Sequence, residues 1–295
     1  MTIAPRAARS GHCTHEVVRQ GLVLRVHAWG DPSLPPIVLL HGWADCGASF
    51  EFLARALADR HYLLAPDHRG FGDSDWAAGG YWFPDYLADV DAVVRTLLPG
   101  RHFALVGHSM GGNIASLYAG ARPERLTHLA LLEGFGLPDM PAAEAPDRYR
   151  RWLDQLAAEE TLREFTDREA VERHLRKLAP QATDEVIAYT ADVWTRPTSQ
   201  GTFALKMDPA HKRLNPVLYR REETIACWRR VSVPVCLVVG EESDQPARFP
   251  RFGLLADVAG HFPAHAPHRI AKAGHMIHLD QPTALAVRLG EFLAR

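Results

Sequence analysis

The 295-residue sequence has no apolar run that approaches the ~18 residues of a membrane span. Its first eighteen residues, MTIAPRAARSGHCTHEVV, also lack the apolar centre of a secretory signal. Neither sign of charge dominates, because 33 basic and 35 acidic side chains give a net charge of −2. This balance argues against binding to nucleic acid or to an anionic membrane surface. The sequence predicts a cytoplasmic protein whose partner is a small molecule.

Cysteine is scarce and scattered. The four cysteines are Cys13, Cys46, Cys227 and Cys236, and no C-x-x-C pair occurs. This spacing favours neither a disulfide framework nor a zinc ribbon, and it is typical of a protein in a reducing compartment. We expect no metal and no organic cofactor.

Short apolar runs alternate with amphipathic stretches over most of the chain. This pattern is typical of parallel strands that helices cover on both faces, so the sequence predicts an α/β fold. An opening hairpin is expected around Gln20-Gly21. The other predicted strands are Ile37–Leu40, Tyr62–Ala65, Phe103–Val106, Leu129–Leu132 and Val235–Val239, and the predicted helices that flank them include Phe50–Ala58, Tyr86–Leu98 and Thr283–Ala294.

The strand pattern stops after Leu132 and resumes near Val233. Between residues 137 and 223, three stretches have helical charge patterns, and each begins near an aspartate that can cap a helix: Asp147, Asp167 and Asp184. The sequence therefore predicts a helical insertion within the α/β core.

The most informative motif is Gly107-His108-Ser109-Met110-Gly111, which matches G-x-S-x-G and follows a predicted strand. A nucleophile on so sharp a strand-to-helix turn needs small neighbours, because side chains at Gly107 and Gly111 would collide with the backbone. Ser109 would then lie at a helix N-terminus, where backbone N–H groups stabilise a developing oxyanion. Ser109 is therefore the candidate nucleophile.

Two further motifs supply partners for such a serine. After the third strand, Gly42 allows the chain to turn so that the Trp43 N–H joins the Met110 N–H in an oxyanion hole, while His41 is expected to brace the loop. Near the C-terminus, Gly274-His275 provides a loop imidazole that can take the serine proton. We favour His275 over His278 because the preceding glycine permits a tight loop.

In chain order, His41-Gly42, the loop Asp67–Ser74, the Ser109 motif and Gly274-His275 resemble the α/β-hydrolase fold family. The resemblance implies a mostly parallel eight-stranded sheet flanked by helices, with a helical cap after the sixth strand. The core would comprise residues 1–136 and 224–295, and the cap residues 137–223. The segments from Met207-Asp208 to Val233-Pro234-Val235 also resemble the subgroup called serine hydrolase-like proteins.

The acid that would orient His275 has two candidates. Most members of the family carry an aspartate three residues beyond the glycine that ends the seventh strand, but here that position after Gly240 is Ser243, and Asp244 lies one residue later. Glu133, directly after the sixth strand, is the alternative. The subgroup tends to carry its acid there, so we favour Glu133 and keep Asp244 open.

These residues predict a serine hydrolase that cleaves esters of small or medium, largely apolar acyl groups through an acyl-enzyme on Ser109. The same groups suit a thioesterase or a carbon–carbon bond hydrolase, and a non-catalytic small-molecule receptor on the same scaffold is a further alternative. The stretch Lys206–Arg230 holds seven basic and three acidic side chains, which offers a docking face for an acidic acyl carrier.

Overall fold

The structure is a computed structural model, and it describes residues 12–158, 160–162, 164–244, 258–262 and 267–295. Residues 1–11, which form most of the stretch that lacks the apolar centre of a secretory signal, lie outside the described residues.

Three strands open the described part of the chain, and from the third strand to residue 132 strands alternate with helices. In order, these are β1 (His12–Arg19), β2 (Leu22–Trp29), β3 (Pro36–Leu40), α1 (Glu51–Leu57), β4 (Tyr62–Pro66), α2 (Phe83–Leu97), β5 (Phe103–His108), α3 (Met110–Ala121) and β6 (Leu126–Leu132). Residues 133–234, called the inserted segment below, contain α4 (Ala145–Leu156), α5 (Arg168–Leu178), α6 (Asp184–Trp194), β7 (Thr195–Pro197), β8 (Phe203–Leu205) and α7 (Arg221–Trp228). The rest contains β9 (Val235–Gly240), β10 (His268–Ile270), α8 (Ile277–Asp280) and α9 (Pro282–Leu293).

Within the described residues, eight strands form one sheet in the order β1-β2-β4-β3-β5-β6-β9-β10. The β1–β2 and β2–β4 pairs are antiparallel and the remaining pairs are parallel. Gln20 and Gly21 make the predicted hairpin turn, with φ angles of 52° and 79°, the left-handed conformation that such two-residue turns require. The predicted α/β class and mostly parallel eight-stranded sheet are confirmed.

Alternating side chains of the central strands face two separate apolar layers. In β3, Val38 and Leu40 pack on the face covered by α2 and α3, whereas Ile37 and Leu39 pack on the face covered by α1 and α9. Because successive side chains point to opposite faces, a strand covered on both sides must be apolar at every position. This explains why the central strands read as uninterrupted apolar runs.

The inserted segment builds a third apolar cluster above the sheet. Phe165 and Trp194, together with residues of α5 and α6, pack against Cys46 and Met276, two core residues near the ends of β3 and α8. Helix α4 buries none of its residues. The expected boundary between residues 223 and 224 falls inside α7, which packs so closely on α3 that a side chain at Gly120 would overlap the Cys227 backbone. None of the helices in the described ranges has the length and apolar content needed to cross a bilayer.

Candidate active site

Ser109 occupies a sharp turn between β5 and α3, with φ 52° and ψ −115°. A Cβ added at Gly107 would overlap the Gly111 carbonyl oxygen, and one added at Gly111 would overlap the Leu40 carbonyl oxygen. Only glycine therefore fits at these two positions. Non-glycine residues with positive φ occur mainly where the surrounding structure enforces them, often at functional sites.

His275 lies beside Ser109 and connects it to Glu133. Its Nε2 is 3.0 Å from Ser109 Oγ, and its Nδ1 is 3.4 Å from Glu133 Oε2. The side chains come from three separate loops, since Ser109 follows β5, Glu133 follows β6 and His275 precedes α8. The parallel strands β5 and β6 are neighbours in the sheet, so their carboxyl ends bring the first two of these loops together.

Glu133 is buried, with 6% of its surface exposed, and its backbone is left-handed with φ 54°. Its Oε1 accepts a hydrogen bond from the Gly240 N–H at 2.8 Å, and its Oε2 accepts one from Ser243 Oγ at 2.6 Å. These donors provide the hydrogen bonds that a buried carboxylate requires. Asp244 is exposed in the loop after β9. Of the two acid candidates, the structure brings Glu133 to His275.

The two predicted oxyanion donors lie in the same cavity as Ser109. Trp43 follows Gly42, and a Cβ added at Gly42 would lie 3.2 Å from Ser109 Cβ, which shows how closely this turn approaches the serine. No hydrogen bond within the described residues uses the backbone N–H of Trp43 or that of Met110. Both amides are therefore available to an oxygen atom bound next to Ser109.

His41 braces the loops beneath this turn, as its sequence context predicts. Its Nδ1–H donates to the Gly42 carbonyl at 2.7 Å, and its Nε2 accepts from the His68 N–H at 2.9 Å. Burial lowers the pKa of His41, so the ring is neutral at pH 7. This tautomer uses both ring nitrogens and leaves none for the reaction.

A buried polar cluster lies on the other side of His275. His108 Nε2–H donates to the His275 carbonyl at 2.8 Å, and His278 Nε2–H donates to Asp45 Oδ2 at 3.1 Å. Burial, together with the nearby His278 and His275, lowers the pKa of His108 well below its usual value, so this ring is neutral. Asp45 Oδ1 also accepts from Trp194 Nε1 at 2.7 Å. Asp45 thus holds both the His275 loop and the inserted segment.

Asp45, His108 and His278 are also the described residues whose arrangement would suit a metal ion, since their ligand atoms lie within 4.8 Å of one another. A metal bound there would have to displace the hydrogen bond between His278 and Asp45. The hydrogen bonds of this cluster hold the His275 loop in place.

A cavity of about 810 Å³ opens in front of Ser109. Its walls are mostly apolar and include Trp82 and Tyr86 from the α2 region and Trp152 and Leu156 from α4. Of the aromatic residues in the inserted segment, Phe165 and Trp194 belong to the core, whereas Trp152 lines the cavity. Arg213 is the arginine among the described residues that line this cavity.

Three contributions to this site could not be assigned from the sequence motifs. The sequence marks Ser243 only as the residue at the position where an acid is expected. In the structure, its hydroxyl donates a hydrogen bond to Glu133. Asp45 is 233 positions from His278, a separation that no local pattern detects. In the sequence, Arg213 stands out only as part of the basic stretch Lys206–Arg230. Its position directly before the mostly apolar segment Leu214–Leu218 is the sequence feature that could have indicated a place in the cavity wall.

Comparisons with known proteins agree with this architecture. The sequence matches the alpha/beta hydrolase fold family over residues 35–282. It is 27% identical over 283 residues to a serine hydrolase-like protein of Danio rerio, across 92% of this chain and 85% of the relative. It is 30% identical over 209 residues to the 2-(acetamidomethylene)succinate hydrolase of Mesorhizobium japonicum, across 71% of each.

Among solved structures, the thioesterase domain from the curacin biosynthetic pathway superposes with a TM-score of 0.83 at 25% identity. The superposition covers 96% of this chain and all of that domain. The family match spans most of the chain, and the mostly parallel eight-stranded sheet is the one that the resemblance implied. The protein belongs to the α/β-hydrolase fold family and is similar to its serine hydrolase-like members.

Proposed function

We propose that the protein is a serine hydrolase that cleaves carboxylic esters of small or medium, largely apolar acyl groups. The observation that carries the proposal is the 3.0 Å contact between Ser109 Oγ and His275 Nε2, at a turn that faces a largely apolar cavity. A serine hydroxyl becomes an effective nucleophile near neutral pH when an adjacent imidazole accepts its proton. Membership of the family supports hydrolase chemistry. The contact between Ser109 and His275 supports a serine nucleophile for that chemistry.

Acylation begins when Ser109 Oγ attacks the ester carbonyl carbon while His275 Nε2 accepts the hydroxyl proton. The carbonyl oxygen becomes an oxyanion, which the Trp43 and Met110 N–H groups bind. Glu133 accepts a hydrogen bond from the Nδ1–H of His275. This bond orients the ring and stabilises the imidazolium. When the tetrahedral intermediate collapses, His275 returns the proton to the departing alcohol, and the acyl group stays on Ser109.

Deacylation repeats these steps with water as the nucleophile. His275 takes a proton from water, the hydroxide attacks the acyl carbonyl, and Ser109 leaves with the proton that His275 returns. The aromatic side chains Trp82, Tyr86 and Trp152 favour an apolar acyl group.

An acyl thioester is the second candidate substrate. The high structural similarity to a thioesterase domain favours it, because the same serine, imidazole and oxyanion donors cleave both kinds of bond. Several basic side chains of the Lys206–Arg230 stretch are exposed, including Lys212, Arg220 and Arg229. This surface suits an acidic acyl carrier as the donor of such a thioester.

The test is a panel of p-nitrophenyl esters of increasing chain length beside matched acyl thioesters, with kcat/KM measured for the wild type and for Ser109→Ala. We expect Ser109→Ala to lower kcat by several orders of magnitude. Ser116→Ala is a matched control, because Ser116 lies in α3 and donates to the Asn113 carbonyl at 3.0 Å. It should retain most activity. A Ser109→Ala variant with more than about a tenth of the wild-type kcat would exclude Ser109 as the nucleophile.

A further inference from the structure

Among the described residues, the cavity that contains Ser109 also contains a guanidinium that has no carboxylate partner. Arg213 follows the short turn Pro209–Lys212 and lines the same cavity as Ser109. Its Nε is buried and has no hydrogen-bond partner in the described part of the chain. No described carboxylate forms a salt bridge with it.

Neighbouring cations of the inserted segment do have partners. Arg148 Nε donates to the Asn215 carbonyl at 2.6 Å, and Lys212 Nζ donates to the Thr161 carbonyl at 2.8 Å. The Arg213 backbone is fixed, since its own N–H donates to the Ala210 carbonyl at 3.1 Å. The next N–H, that of Leu214, donates to Gln155 of α4. The chain thus holds Arg213 in place and leaves its guanidinium unpaired.

The other titratable groups that line the cavity do not balance this charge. Glu133 already accepts hydrogen bonds from Gly240 and Ser243 and lies beside His275. His211 stacks against Tyr81 with 3.6 Å between ring centroids, and burial lowers the pKa of His211 to about 4, so this ring is neutral at pH 7. Within the part of the chain that the structure describes, the positive charge of Arg213 in the cavity wall therefore has no partner.

Arg213 is only partly exposed and its buried Nε lacks an acceptor among the described residues, so a bound anion would supply the missing acceptor. The planar fork of a guanidinium matches the paired oxygens of a carboxylate or a phosphate. Since Ser109 and Arg213 line one cavity, a single ligand can reach both. We propose that the preferred substrate carries an oxyanionic group apart from its scissile ester or thioester bond, and that Arg213 binds this group. The proposal rests on Ser109 being the nucleophile.

Two sources can supply this oxyanion, and matched substrate pairs distinguish them. A carboxylate on the acyl group is tested with mono-p-nitrophenyl glutarate against p-nitrophenyl 5-oxohexanoate, in which a methyl ketone replaces the carboxylate. A phosphate on the leaving group is tested with butyryl-coenzyme A against butyryl-N-acetylcysteamine. The quantity measured for each pair is the ratio of kcat/KM for the anionic member to that for the neutral member.

We expect Arg213→Gln to lower this ratio by about 10- to 100-fold for one of the two pairs, the range for hydrogen bonds to charged groups. The neutral member should keep its wild-type kcat/KM, and Arg213→Lys should retain part of the preference. Lys177→Gln removes an exposed charge of α5 that does not line the cavity, and it should leave both ratios within about twofold. An Arg213→Gln variant that changes both members of each pair by the same factor would overturn the proposal.

A binding measurement separates this proposal from that for Ser109. In a Ser109→Ala background, calorimetry should show the anionic member of the responsive pair binding at least about tenfold more tightly than the neutral member. This difference should disappear in Ser109→Ala/Arg213→Gln. Equal binding of both members would refute the role of Arg213 even if ester hydrolysis depends on Ser109. If the variant binds the anionic member preferentially but the wild type hydrolyses neither member, the role of Ser109 is refuted and that of Arg213 is not.

Discussion

Ser243 Oγ donates a 2.6 Å hydrogen bond to Glu133 Oε2, the same oxygen that lies 3.4 Å from His275 Nδ1. Ser243 occupies the position, three residues beyond Gly240, at which most members of the family carry the acid. The loop after β9 therefore contributes a donor to the carboxylate instead of the carboxylate itself. The Gly240 N–H holds the other oxygen, so Glu133 is fixed from two sides.

The first prediction separates the two acid candidates. Glu133→Gln is nearly isosteric, but it replaces the negative charge that would stabilise the His275 imidazolium, and we expect a loss in kcat on the order of 10³- to 10⁴-fold. Asp244→Asn is the matched control in the neighbouring loop and should lose less than about tenfold. The measurement is kcat for a neutral p-nitrophenyl ester. Equal losses in the two variants would show that Glu133 has no special role.

The second prediction concerns Ser243. Ser243→Ala removes one of the two donors that fix the Glu133 carboxylate, so we expect kcat to fall by about 10- to 100-fold, the equivalent of one hydrogen bond to a charged group. Ser243→Thr keeps the hydroxyl and should restore most of the activity. A purely structural role for Ser243 would lower the midpoint of thermal unfolding without changing kcat.

The third prediction concerns Asp45 and pH. Burial alone would raise the pKa of Asp45, but the hydrogen bond from His278 and the nearby histidines hold that pKa well below its usual value of 3.8. A carboxyl with a lower pKa in the folded state stabilises the fold above its unfolded pKa, and this contribution is lost as the pH falls towards the folded pKa. At pH 7, Asp45→Asn should therefore lower the free energy of unfolding by about 3 kcal/mol.

The difference in stability between the wild type and Asp45→Asn should narrow as the pH falls below about 4, where the unfolded carboxyl binds a proton. Urea unfolding between pH 3 and pH 7 measures this difference. The control is Asp59→Asn, since Asp59 is exposed. A difference in the free energy of unfolding between the wild type and Asp45→Asn that stays constant across this range would contradict the prediction.

The fourth prediction concerns the cavity wall formed by α4. Trp152 lines the cavity and packs edge-on against Trp82 with 6.4 Å between ring centroids. Trp152→Ala should lower the ratio of kcat/KM for long over short acyl esters by about tenfold, because a long chain loses apolar contact. Tyr149→Ala, a substitution on the same helix at a residue that is 51% exposed, should leave the ratio unchanged.

The central strands could be predicted from the sequence because burial on both faces requires apolar residues throughout. The position of Ser109 could be predicted as well, since glycines two residues before and two residues after a serine between a strand and a helix permit a sharp turn. The first residue of each helix was harder to predict from the sequence than the strands. Asp167 caps α5 as predicted, accepting from the Ala170 N–H at 2.7 Å, whereas α4 begins at Ala145, before Asp147. Pro146 favours that earlier start, because its fixed φ suits the first turn of a helix.

The choice between Glu133 and Asp244 could not be made from local sequence. Strands β6 and β9 are neighbours, with Leu132 opposite Val238, so the loops that follow them leave the sheet side by side. Either loop can reach an imidazole between them. The outcome depends on the direction of each side chain, which the left-handed backbone at Glu133 sets. A positive φ at a glutamate has no signature in the sequence.

Asp45 accepts hydrogen bonds from both His278 and Trp194, so α6 is anchored to the same carboxylate as the His275 loop. Tilting α6 away from the core would leave a buried charge with fewer donors and would expose the apolar cluster around Trp194. Helix α4 has no buried residue to expose. The two helices therefore differ in the free energy needed to move them, since α6 is held by a buried carboxylate and an apolar cluster, whereas α4, which lines the cavity through Trp152 and Leu156, buries no residue.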